Sequence, residues 1–340
     1  MPHALIANYL DHAEMEAAHV AASAEITAVG CDTLSAHLVR LELEQLWVTR
    51  VDELGTRIKH VALNPQRMFL TFDTAPSPPR LLEGMEMPAK GLMCHGIGSS
   101  YYELARGEAH WGTVSMPVGM LSSATEKMGL REFTPPRSSV VSTPSPENLE
   151  RFQRLHAAAG ALAESAPQII THPEAARGLE QAFVDAIIPC LDSGESESPS
   201  WAQQCHSIIM RRFRRVLEDN PARAIYVPEM CVAIGVPERT LRLCCQEALG
   251  MSPKRYLTLR RMNFARRALL SSFPGATTVT DIATRFGFWH FGRFSTVYRS
   301  LFNELPSDTL RRAADSRACQ HAVWLLAFGA VLRFVSFAVQ

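Results

Sequence analysis

Of the nineteen basic residues between positions 201 and 318, eighteen are arginine and one is Lys254. A guanidinium presents five donors in a planar fork that matches phosphate oxygens and the edge of guanine, so this stretch suits a polyanion whose edges carry information. The zero formal net charge of the whole chain conceals the bias. Residues 1–200 carry 25 Asp+Glu against 14 Lys+Arg, whereas residues 201–318 carry 19 Lys+Arg against 9 Asp+Glu. Opposite signs in the two halves predict that the basic half faces nucleic acid and the acidic half has another task.

Other chemistry is poorly represented. The eight cysteines, at 31, 94, 190, 205, 231, 244, 245 and 319, form no CxxC pair and have no histidine at zinc-site spacing, so they read as small buried hydrophobes in a reducing compartment. His95, Glu103, Glu108 and His110 make one local cluster of metal-type ligands, without a His-x-His. No Gly-x-Ser-x-Gly elbow or phosphate-cradling loop occurs, and no catalytic residue, metal or cofactor is expected. With no basic N-terminal region leading into an apolar run, the expected location is the cytoplasm.

These residues need elements to hold them. A chain of 340 residues with 47% hydrophobic and 20% charged side chains predicts two globular domains. Residues 34–72 alternate as strands do, and recurrent Gly and Pro continue a mostly β reading over residues 25–142. Helical spacing then takes over at Leu149, Phe152, Leu155, Ala159 and Leu162, and again over Pro173 to Leu191. That pair of helices suits either packing on the β domain or a dimer seam. The polar, Ser-rich stretch at 192–200 reads as a linker. The expected architecture is α+β: a sensing and dimerisation domain over 1–190 (β-rich 25–142, helical 147–191), a helical domain over 201–317, and an apolar tail over 318–340.

The helical half repeats itself. Met230-Cys231 through Gly235-Val236 realigns with Ile282-Ala283 through Gly287-Phe288 at an offset of 52, and Ala248 through Leu257 realigns with Leu301 through Leu310 at 53. Each copy has a small residue that lets two helices approach and, four residues on, a Gly able to take positive φ in a turn. A second helix follows in each, with inward stripes Leu241, Cys245, Leu249 and Phe294, Val297 or Tyr298, Leu301. Gly250 and Asn303 suit the left-handed position at its end, with Pro253 and Pro306 just beyond. Two helix-turn-helix units at constant spacing in the basic half are far more specific than one.

Residues 207–312 resemble the DNA-binding domain of the AraC/XylS (arabinose-regulator) family. The resemblance rests on Glu238-Arg239-Thr240-Leu241, Leu249 to Pro253, Thr280 to Ala283, Gly287-Phe288, Phe294-Ser295, Leu301-Phe302 and Leu310-Arg311. It implies seven helices, with Tyr256 to Leu270 joining the two units and Arg260, Arg261, Arg266 and Arg267 largely off the connector's apolar stripe. It also implies a transcription regulator, more often an activator, that binds double-stranded promoter DNA and engages RNA polymerase. Recognition helices near Pro237–Leu249 and His290–Phe302 would enter successive major grooves. By position, Glu238, Arg239 and Arg242, then His290, Gly292, Arg293, Ser295 and Thr296, would meet base edges. Lys254, Arg255, Arg299, Arg311 and Arg312 would meet phosphates. Leu243, Cys245 and Thr296 depart from the family pattern, which puts the exact contact set in question.

The resemblance further implies a cupin-like β domain that binds a small effector and supports a homodimer. Trp47, Phe72, His95, Tyr101, Tyr102, His110 and Trp111 are the pocket candidates, each equally at home in a barrel core. A metal-holding barrel using His95 and His110 is the enzymatic alternative. A membrane tether is another, because residues 322–339 are 18 long with one charge, Arg333, at the short end of a bilayer span. A packing helix or an idle extension is the preferred reading of that tail.

Overall fold

The computed structural model describes residues 1–19, 22–32, 34–192, 195–197, 201–221, 223–272 and 277–312. The apolar tail lies outside them. The chain forms two compact units, one of residues 1–219 with 226–256, the other of 220–225 with the chain from Leu257 onward.

Among the described residues the first unit has thirteen strands: β1 (His3–Tyr9), β2 (Ala22–Ala28), β3 (Ser35–Glu42), β4 (Trp47–Leu54), β5 (Arg57–Leu63), β6 (Arg67–Asp73), β7 (Leu81–Leu82), β8 (Met85–Glu86), β9 (Leu92–Cys94), β10 (Ser100–Ala105), β11 (Ala109–Pro117), β12 (Val140–Thr143) and β13 (Glu195–Glu197). One sheet runs β1-β3-β4-β11-β6-β9-β12-β13 and the other β2-β5-β10-β7-β8. Short helices α1 (His12–Ala17) and α2 (Met120–Lys127) punctuate the strands. Beyond the expected β region, the structure adds β1 and β13, the latter pairing with β12 inside the stretch read as linker. β13 is too short to show alternation, and β1, His3-Ala-Leu-Ile-Ala-Asn-Tyr9, is mostly apolar without a period of two.

Period-two alternation sorts the larger sheet's side chains between two environments. On β11, Trp111, Thr113 and Ser115 line a cavity between the sheets, and on β6 Phe69 and Thr71 do so. The opposite face of that sheet is covered by α3 (Pro146–Ser165) and α5 (Pro173–Asp192), with the short α4 (Pro167–Ile170) between them. Phe72 meets Phe152 at 4.8 Å between ring centroids, and Phe152 meets Phe183 at 6.4 Å. Packing on the β domain is therefore what the paired helices do, and one apolar core runs through sheet and helices.

Gly112 marks the tightest point of that packing, since a Cβ there would sit 2.7 Å from Phe72 Cζ and 2.8 Å from the His156 ring. Both rings are buried and stiff, so Gly112→Ala is expected to cost roughly 1–3 kcal/mol, read from the shift in urea midpoint. His156 itself donates from Nε2 to the Thr49 carbonyl, and burial depresses its pKa to about 4. The unfolded chain takes up this proton near pH 6.5 and the folded chain only near 4, so stability falls as pH drops through that window. The full loss is about 3 kcal/mol. His156→Gln, which keeps a donor for Thr49, should flatten the dependence by about one proton in urea titrations between pH 4 and 7.

The first unit ends with α6 (Trp201–Glu218), α7 (Val227–Ile234) and α8 (Glu238–Leu249). The connector α9 (Pro253–Ser271) follows, then α10 (Val279–Arg285), α11 (Phe291–Phe302) and a last helical stretch at 306–312. Seven helical segments thus follow Trp201 among the described residues. Pro253 opens the next helix rather than merely ending the previous one, as its fixed φ and missing N–H favour at a first turn.

Candidate DNA interface

Each repeat closes its turn with the same bonds. Gly235 is left-handed at φ 78° and Gly287 at φ 76°. After each glycine the next N–H returns to the small residue's carbonyl, Val236 to Cys231 at 3.2 Å and Phe288 to Ala283 at 2.9 Å. A Cβ at either glycine would strain this conformation, which is why the sequence has none there. The second helices end alike, with Gly250 at φ 65° and Asn303 at φ 55°. Their N–H groups bond to Gln246 and Arg299. A capping box between Thr278 and Asp281 starts α10.

Inside the first copy Met230, Ile234, Leu241, Cys244, Cys245, Ala248 and Leu249 are buried, so both adjacent cysteines are packed. Burial pushes both thiols up, Cys244 to about 11. In the second copy Phe294, Tyr298 and Leu301 form the inward stripe, Tyr298 rather than Val297 taking the middle place. The Tyr298 hydroxyl meets Thr309 Oγ1 at 2.8 Å.

The base-reading candidates lie on the outward faces of the second helices. Glu238, Arg239, Arg242, His290, Gly292, Arg293 and Thr296 are exposed and Ser295 is half-buried. Arg242 donates to Glu238 at 3.0 Å, and Thr296 Oγ1 donates to the Gly292 carbonyl at 3.0 Å. Beside them stand exposed apolar residues that charge-based reading passed over: Leu243 on α8, and Trp289 and Phe291 at the start of α11. Such groups suit a thymine methyl. The signal was present in their place outside the inward stripe.

Among the phosphate candidates, Lys254, Arg255 and Arg299 are exposed. Arg311 is paired with Asp308 at 2.6 Å, an exposed pair that a phosphate can replace at little cost, and Arg312 with Glu304 at 2.9 Å, where the carboxylate is 15% exposed and keeps Arg266 as a second partner. The connector arginines are engaged otherwise. Arg260 is buried over the Phe264 ring at 4.6 Å, which Arg267 also covers at 5.0 Å. Arg261 lies over Phe288 at 5.0 Å, and Arg266 reaches Glu304 at 3.4 Å. Their stems and planar heads act as packing surface.

The first helix-turn-helix unit is seated on the smaller sheet. Glu83, left-handed at φ 53°, accepts the Tyr102 N–H at 2.7 Å and an ion pair from Arg214 of α6. The Tyr102 ring packs against Phe213 and Tyr256 at 6.4 and 5.6 Å, and Arg214 lies 5.5 Å above it. At Gly250 an added Cβ would come within 2.8 Å of Leu104. This seat was not legible in the sequence, because Glu83 and Arg214 are 131 residues apart.

The pocket candidates divide. Trp47 and Trp111 line the cavity between the sheets. Phe72 points the other way into the core beneath α3, and Tyr102 faces α6. His95 and Tyr101 are buried and stacked at 4.5 Å, with His95 also bonded to Thr71. His110 is held between Asp52 and Glu108. The reason is the pleat, which sends neighbouring aromatics to opposite faces. Leu38, Arg40, Lys59, Thr71 and Glu103 also line the cavity, and of these only Glu103 had been singled out, as a metal-type ligand. A charged residue at an inward strand position, such as Lys59 in Arg57-Ile-Lys-His-Val-Ala-Leu63, was the available sign. Among the described residues no group of three or more His, Cys, Asp or Glu could hold a metal, and no helix is long and apolar enough to cross a membrane.

Two helix-turn-helix units with matching turns and exposed outer faces form a tandem repeat of the kind that suits DNA. A helix-turn-helix domain model matches residues 230–312. A probable thc operon regulatory protein of Rhodococcus erythropolis is 39% identical over 103 residues, 30% of this chain and 31% of that one. XylDLEGF operon transcriptional activator 2 of Pseudomonas putida is 34% identical over 112 residues, 31% of this chain and 71% of that one. The chain belongs to the AraC/XylS family of transcription regulators. It spans about a third of the length of several of the relatives it matches, such as the Rhodococcus protein and XylDLEGF operon transcriptional activator 3 of Pseudomonas putida. Among solved structures, the AraC-like transcriptional activator CuxR aligns over 78% of this chain and 96% of that one, with 13% identity and a TM-score of 0.38.

Proposed function

We propose that the protein is an effector-responsive, sequence-specific activator that reads promoter DNA with α8 and α11 in successive major grooves, about 34 Å apart. The observation carrying this is the pair of matching turns, each presenting an exposed helix face beside a buried stripe. Glu238, Arg239, Arg242, His290, Gly292, Arg293, Ser295 and Thr296 read bases, while Lys254, Arg255, Arg299, Arg311 and Arg312 hold phosphates. Residues 201–317 act as the DNA-binding domain and residues 1–190 as the sensor, joined at 192–200. The protein acts in the cytoplasm as a homodimer and recruits RNA polymerase, as regulators of this family do.

The cavity between the sheets is the effector site in this reading. Strand β10 connects it to the first helix-turn-helix unit, because Glu103 lines the cavity while its neighbour Tyr102 packs on Phe213 and Tyr256. An effector that biases β10 thereby biases how α8 is presented.

Footprinting of the full chain on the DNA upstream of its own gene is the test. Protection over about two helical turns per monomer is expected, and no preference over random DNA would overturn the reading. Within a protected site, Arg293→Ala should cost about 1–3 kcal/mol and relax selectivity at one base pair, as measured by competition with single-base operator variants.

A further inference from the structure

Resting on the reading of the inter-sheet cavity as the effector site, we propose that its ligand is a small neutral molecule with an apolar body and one hydroxyl, a short-chain alcohol, and that carboxylates are refused. The cavity holds about 80 Å³. An apolar cavity of about 150 Å³ accommodates benzene, so about half that volume suits a body of roughly four heavy atoms, such as 2-propanol, and excludes a ring.

The charges around the cavity are already balanced. Glu53 is bonded to Lys59 and paired with Arg57. Glu103 accepts from Arg80 at 2.9 Å, and Arg80 also pairs with Asp73 at 2.5 Å. Three cations thus stand against three carboxylates. Arg40 is held by the Ala18 carbonyl at 2.7 Å and by Glu42 at 3.1 Å. Burial lowers the pKa of His19 and favours its neutral form. A charged ligand would bring an uncompensated charge into this setting, at a desolvation cost that no counter-ion returns.

Besides Arg40 Nε, which is ion-paired with Glu42 without a hydrogen bond, two hydrogen-bonding valences remain open. Glu103 Oε1 is buried and accepts no hydrogen bond, its nearest cation being Lys59 Nζ at 3.8 Å. As an ammonium Lys59 Nζ has three protons and bonds to Glu53, with the Trp111 ring 4.6 Å away; burial lowers its pKa, and Glu53 and Glu103 oppose that shift. One hydroxyl answers both needs, accepting from Lys59 and donating to Glu103. A carboxylate offers acceptors alone and would set like charge against Glu103 Oε1. An ammonium offers donors alone, and a hydrocarbon offers neither. Water also bridges the pair but gains nothing from Leu38, Val61, Leu63, Phe69 and the two tryptophans, whose apolar surface rewards carbon. An open groove along Glu16, Ser23 and Asn64 shares His19, Ala22 and Leu63 with the cavity and gives a way in.

The experiment titrates the full-length protein with 2-propanol, acetate and acetone, three probes of equal heavy-atom count, by calorimetry and saturation-transfer NMR. It is repeated on Val61→Phe, which fills the cavity, after a melting curve shows that variant folded. Binding of 2-propanol about ten-fold or more tighter than both others, abolished by Val61→Phe, is the expected result. Glu103→Gln, which turns the open acceptor into an amide, should reduce that preference. Acetate or acetone binding as well as 2-propanol, and still lost in Val61→Phe, overturns the hydroxyl inference but keeps the effector site. Failure of all three to bind, or binding indifferent to Val61→Phe, overturns both.

Discussion

Between 50 mM and 200 mM salt, the affinity of the full chain for its operator is expected to fall about 500-fold. Each neutralised phosphate contributes a slope of about −0.9 in log affinity against log salt, and five cations, Lys254, Arg255, Arg299, Arg311 and Arg312, are assigned to phosphates. A slope near −4.5 over a four-fold change in salt gives that loss. The ion pairs of Arg311 with Asp308 and Arg312 with Glu304 do not remove those residues from the count, since both arginines are more than half exposed. Fluorescence anisotropy on labelled operator, repeated with Arg255→Ala, checks it. The substitution should reduce the slope by about 0.9 and weaken all sequences alike, whereas Arg293→Ala should alter sequence preference more than the slope. A slope shallower than about −2 would mean that most of these cations do not reach the backbone.

Arg214→Ala is expected to destabilise the first unit by about 3 kcal/mol. The guanidinium is 5% exposed and its partner Glu83 is 18% exposed, so the substitution strands a carboxylate in a site built for an ion pair. Glu83 also holds a left-handed backbone at φ 53°, which costs about 1–2 kcal/mol in a residue with a Cβ and is offset by the bonds its carboxylate makes. The Tyr102 ring loses its overlying cation as well. Urea unfolding of the full chain measures the cost. Arg214→Met combined with Glu83→Gln should recover much of the loss, because neither charge is then left alone. A loss below 1 kcal/mol for Arg214→Ala would show that the aromatic contacts of Tyr102, and not the ion pair, hold the seat.

What was legible in the sequence was local. Gly235, Gly250, Gly287 and Asn303 were readable because a turn or helix end that needs positive φ admits few residue types. The stripes Leu241-Cys245-Leu249 and Phe294-Leu301 were readable because helical periodicity repeats every few residues. The exposed basic residues followed as the complement of those stripes. The same logic missed Arg260, because an arginine can bury its stem and head against a ring such as Phe264.

The sequence by itself therefore determined the tandem helix-turn-helix units and the polyanion they suit, since both rest on residue types at short, fixed spacing. Tertiary structure alone decided where the β domain's polar groups converge. The cavity wall draws on β3, β4, β5, β6, β10 and β11, and no spacing rule says that Lys59, Glu103 and Trp111 will face the same space. It also decided that Glu83 would meet Arg214. Strand pairing fixes such meetings through register across long sequence separations, where a slip of one residue sends every side chain to the other face.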